Sequence, residues 1–114
     1  MVRPRALQGR DAGECIALAI ARNFEGDAAL YDAFAAACTE QFPLDIAHGD
    51  AACASGDLAQ LQRLAHNLKS ALEMLGDKVA TELATEAEAI AQTNDRHAAH
   101  MAWQALREAL ATQS

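Results

Sequence analysis

Between Asp57 and Gly76 apolar residues recur at alternating steps of four and three: Leu61, Ala65, Leu68, Leu72 and Leu75, with Leu64 and Ala71 beside them. That spacing is the inward seam of an amphipathic helix. At about 100° of rotation per residue, His66 falls opposite the seam. It shares a polar stripe there with Gln62, Arg63, Lys69 and Ser70, and with Ala59 and Glu73 one turn further out. The imidazole is therefore expected to face solvent while the leucines build a core.

The same pattern places four more helices around this one. Ile16, Ala19 and Ile20 repeat at helical spacing from about Ala12 to Asn23, which predicts a short first helix lying as a lid on one end of a bundle. Gly26 and Asp27 then read as a break and an N-cap. A long second helix follows to about Ala54, with Tyr31, Phe34, Cys38, Phe42 and Ile46 as its apolar stripe. Pro43 lies inside it, off the stripe, so a kink or break is expected on the solvent side, where a freed carbonyl can bind water. Gly56 and Asp57 repeat the stop-and-start signal before the central helix, with Gln60 at the capping-box position, and Gly76 and Asp77 repeat it after. The fourth helix should turn Val79, Ala80, Leu83, Ala87 and Ile90 inward. After a turn at Thr93, Asn94 and Asp95, the fifth should bury Ala99, Trp103, Leu106 and Leu110, with the Trp103 N–H reaching a partner at the core edge. Short connections between long helices imply antiparallel neighbours. The expected fold is all-α, an up-down-up-down four-helix bundle with a short extra N-terminal helix, occupying residues 11–114. Residues 1–10 carry Arg3, Arg5 and Arg10 with Pro4 and Gly9, and are expected to form a flexible arm.

Composition narrows the function more than the fold. At 114 residues the chain makes one domain with a single core. A formal net charge of −7 argues against nucleic-acid binding, which needs a basic surface. Local sign differs from the total: Arg63, Lys69 and Lys78 lie in or just past the His66 helix, where an acidic partner pocket would be steered toward them. Three cysteines, Cys15, Cys38 and Cys53, are odd in number and have no C-x-x-C spacing, so neither a disulfide framework nor a zinc site is indicated. No apolar run approaches the roughly 20 residues needed to span a membrane. The expectation is a cytoplasmic protein that engages neither membrane nor nucleic acid.

The stretch AHNLKSALEMLG resembles the phosphoacceptor motif of histidine-containing phosphotransfer (HPt) domains, AHxLKGxxxxxG, in Ala65, His66, Leu68, Lys69 and Gly76. Length, helix count and helix order agree over roughly residues 13 to 112. Ser70 stands where the family has a Gly that leaves space beside the imidazole for a docked partner. The resemblance implies a phosphorelay intermediate. A response-regulator receiver domain carrying an aspartyl phosphate, fed by a hybrid sensor histidine kinase, would donate its phosphoryl group to His66, and a second receiver would take it away. It implies a phosphocarrier rather than a self-contained enzyme, with no cofactor of its own and Mg²⁺ on the receiver. His66 would be the phosphoacceptor, and Lys69, one turn along the same face, would offset phosphoryl charge. The helical wheel adds Gln62, Arg63, Ser70 and Glu73 as docking contacts.

Little competes with that reading. No glycine-rich phosphate loop, nucleophile-base-orienter set or two-metal carboxylate array is present. Glu82, Glu86 and Glu88 read as a solvated outer face of the fourth helix. His97 and His100 are three apart and would need a third ligand to hold a metal; they and His48 read as surface imidazoles. The rival from another class is a non-phosphorylated helical adaptor that docks a signalling partner through the same face. Autophosphorylation by a chemotaxis-type kinase is a third reading, which requires an ATP-binding partner.

Overall fold

The computed structural model describes residues 2–113, with side chains described from Gly13 onward. Among these residues there are five α-helices and no strand: α1 (Val2–Asn23), α2 (Ala28–Ser55), α3 (Leu58–Leu75), α4 (Lys78–Ala91) and α5 (Arg96–Ala111). Helix α2 packs on α3, α3 on α4, α4 on α5, and α5 closes the ring against α2; α1 lies against α3. Helix α1 starts at Val2 rather than near Ala12, so it is longer than the expected lid.

One local device turns two of the corners. Gly56 and Gly76 adopt left-handed φ values of 72° and 80°, which glycine takes without a Cβ clash. The aspartate after each then serves two helices at once. Asp57 N–H donates back to the Ala52 carbonyl at 2.9 Å while its Oδ1 accepts from Gln60 N–H at 3.1 Å. Asp77 does the same with Leu72 and Ala80. Asp27 and Asp95 share only the side-chain cap, accepting from the N–H groups of Leu30 and Ala98 at the starts of α2 and α5. The connections are therefore short and the helices start in register.

The core follows the expected seams on α3 and α5. Leu61, Ala65, Leu68, Leu72 and Leu75 are buried, as are Ala99, Trp103, Leu106 and Leu110. On α2, Tyr31, Cys38 and Phe42 are buried, and Phe34 and Ile46 partly so. Pro43 is exposed and the helix runs through it. Helix α4 departs from expectation. Its buried face is Ala80, Ala84, Ala87 and Ala91, Leu83 and Ile90 are only partly covered, and Val79 is 57% exposed. Small side chains win this seam because they let α4 approach α3 closely, and the branched residues are pushed to its flanks.

The sequence Gly49-Asp50 resembles the corner dipeptides but lies in the middle of α2, where both residues serve Trp103. A Cβ on Gly49 would stand 2.0 Å from Trp103 Cζ2, so glycine is what admits the indole. The Trp103 N–H donates to Asp50 Oδ1 at 2.8 Å, and Arg107 holds the same carboxylate with Nε at 2.9 Å and Nη2 at 2.8 Å. This ties α2 to α5 on the side of the ring away from the α3/α4 seam.

Candidate functional site

His66 projects from the outer side of α3, opposite its leucines, and its side chain is 57% exposed. It is not alone. Glu88, from the adjacent α4, accepts from the ring at 3.0 Å between Nδ1 and Oε2, and its other oxygen receives Lys69 Nζ at 3.0 Å. The glutamate side chain is only 16% exposed, set into the α3/α4 seam with the ring and the ammonium converging on it. The expectation of a solvated outer face therefore fails for Glu88. It sits one residue past Ala87 and one turn past Ala84, at the rim of the alanine stripe that brings the two helices together.

The electrostatics fix the ring. The hydrogen bond from Lys69 does most to hold the Glu88 carboxyl below its usual range, with partial desolvation opposing and the His66 contact adding to the lowering. Glu88 is thus ionised at neutral pH, and a carboxylate has no proton to give. Nδ1 must be the donor. In the neutral imidazole this leaves the lone pair on Nε2, the nitrogen directed away from Glu88.

The remaining expected site residues are arranged along α3. Lys69 is half-buried and committed to Glu88. Ser70 is exposed, and its hydroxyl donates weakly, at 3.5 Å, to the His66 backbone carbonyl of the same helix. Glu73 is exposed and, with Ser70 and Met74, forms one bank of an open groove whose opposite bank is Leu18 and Arg22 of α1. Arg63 is exposed and Gln62 half-buried, one turn before His66. His48, His97 and His100 are exposed, and among the described residues no three His, Cys, Asp or Glu side chains are grouped to hold a metal. No helix among those residues is long and apolar enough to cross a membrane.

A family model described as the Hpt domain matches residues 29–113, which takes in α3, α4 and α5 and nearly all of α2. The chain belongs to the Hpt domain family. Histidine phosphotransfer in phosphorelay signalling is the function this family carries, with response regulators and kinases of two-component systems as its partners. No curated protein and no solved structure matches the chain. Helix α1, one bank of the groove beside the Hpt motif, lies outside the matched residues.

Proposed function

We propose that the protein is a phosphorelay intermediate in which His66 accepts a phosphoryl group from the aspartyl phosphate of one receiver domain and passes it to another. In this reading α2 to α5 form an up-down-up-down antiparallel bundle, α1 is an extra N-terminal helix, and the bundle serves as a rigid mount for one nucleophile. The observation that carries the proposal is the exposed His66 ring with its Nδ1 engaged by an ionised carboxylate and its Nε2 without a partner among the described residues.

Transfer is written in one exchange. The Nε2 lone pair attacks phosphorus, the N–P bond forms, and the P–O bond to the aspartate breaks, its electron pair leaving on the carboxylate. The ring keeps its Nδ1 proton and acquires positive charge. Passing the group to a second receiver runs the same exchange in reverse. The receiver supplies Mg²⁺, and this chain contributes the nucleophile and its surroundings. Gln62, Arg63, Ser70 and Glu73 form the docking surface around it.

Incubation with phosphorylated receiver domains tests the assignment. The protein should acquire acid-labile label, and His66→Gln should acquire none while keeping its helical spectrum. Label persisting on that variant would remove His66 from the reaction. Receiver binding without label on either protein would point to the adaptor.

A further inference from the structure

We infer that the cavity between α1, α2 and the α3/α4 corner binds a medium-chain carboxylate, its hydrocarbon against Ile16 and Val79 and its head group on Lys78. The site lies apart from His66 and does not depend on the reaction proposed there.

The cavity measures about 290 Å³, close to the lower end, about 300 Å³, of small-molecule sites. Segments distant in sequence supply its apolar walls: Cys15 and Ile16 from α1, Tyr31 and Ala35 from α2, Leu75 from α3 and Val79 from α4. Ile16 and Val79 are exposed at its edge, although the apolar period assigns both to a covered face. Apolar surface gains free energy on leaving water, so both residues favour an occupant with a hydrocarbon body.

The polar groups of the walls decide the head group, and most of them are already engaged. The Tyr31 hydroxyl donates to the Leu75 carbonyl at 2.6 Å, and the Thr39 hydroxyl to the Ala35 carbonyl at 2.9 Å. Asp77 accepts from the Ala80 N–H through Oδ1 and from the Gln113 side-chain amide through Oδ2. Lys78 differs. It is half-buried at the wall, yet among the described residues no carboxylate stands within ion-pair distance of its ammonium. A cation of this kind, its stem along apolar surface and its three donors uncommitted, selects an amphiphile whose single charge is negative. Cys15 lines both this cavity and the groove beside Ser70, so an occupant braces the helix that forms one bank of that groove.

Octanoate, octanol and octylamine, titrated separately into the full chain and followed by nuclear magnetic resonance, test the assignment. Octanoate should shift the ring signals of Tyr31, the only tyrosine, saturably, and leave those of Trp103, the only tryptophan, in place. Tm should rise with octanoate concentration. Octanol should bind about three- to tenfold more weakly, and Lys78→Gln should lower octanoate affinity by the same factor. Ala35→Leu, which fills the cavity, should abolish the Tyr31 shift. Val79→Ser, at an exposed position where folding is not at stake, should weaken it. Tyr31 signals that do not move, or Trp103 signals that move equally, overturn the site. Binding that survives both Ala35→Leu and Val79→Ser undiminished does the same, because the octanoate then sits elsewhere. Octanol or octylamine binding as tightly as octanoate overturns the pairing of a carboxylate with Lys78.

Discussion

Gly49 is the position where one added methyl group should do most damage. Replacement by alanine has a favourable side, since glycine inside a helix costs about 0.5 to 1 kcal/mol relative to alanine. Against that stands the indole of Trp103. The new Cβ would lie 2.0, 2.3 and 2.4 Å from Cζ2, Cη2 and Cε2, where carbon atoms normally rest at about 3.5 to 4.0 Å. The ring must retreat by about 1.5 Å, yet it is fully buried and its N–H is fixed to Asp50 at 2.8 Å. Overpacking of this kind costs about 1 to 3 kcal/mol, and pulling the N–H off a charged acceptor costs about 1.5 to 3 kcal/mol more. The clash outweighs the helix propensity, and Gly49→Ala should lose about 1.5 to 5.5 kcal/mol net. For a domain of this size that lowers Tm by about 6 to 22 °C. Urea and thermal unfolding followed by circular dichroism would measure it, and Trp103, the only tryptophan in the chain, reports the displaced ring by fluorescence. A variant as stable as the wild type, or more so, refutes the reasoning. Repeating the change in a Trp103→Phe background should remove most of the penalty, and a penalty that survives undiminished would mean the indole is not its cause.

Two more expectations concern the same seam and the motif. The hydrogen bond from Arg107 does most to hold Asp50 below the usual carboxylate range, with Trp103 assisting; its contribution is therefore complete above the unfolded-state value of about 3.9 and is lost as pH falls through the lower folded value. Wild type and Asp50→Asn should differ in Tm at neutral pH and converge as acid protonates the carboxylate, and a gap that stays constant on acidification would reject the pairing. Ser70→Gly should lose about 0.5 kcal/mol of helix stability yet accept phosphate faster, because the exposed Ser70 side chain stands in the approach to His66 and its hydroxyl serves only the local backbone; slower transfer would instead place that hydroxyl on the phosphoryl group.

What the sequence revealed and what it hid have physical causes. The α3 seam was readable because five apolar residues keep one period without interruption, and the same phase put His66 outside. The inner face of α4 was not, because alanine is compatible with either side of a helix. Leu83 and Ile90 drew the expected stripe toward themselves, and Ala84 and Ala91 were passed over. That error hid Glu88 as well, since its place at the edge of the seam follows only once the alanines are turned inward. A contact between helices also has no signature in the wheel of either one. Gly49-Asp50 shows a similar limit. The dipeptide is the one found at three of the corners, and only the position of Trp103, more than fifty residues on, shows why the helix does not stop there.

The four alanines of α4 bear on the proposed site as well as on packing. A carboxylate has a fixed arm, and Glu88 meets the α3 ring only because its helix has nothing bulkier than a methyl group between its backbone and the neighbouring leucines. Width at this seam thus decides whether the two side chains meet. A bulkier residue at any of these positions would prise the glutamate out of range of the ring, and the contact at the proposed phosphoacceptor would be lost with the histidine itself unaltered.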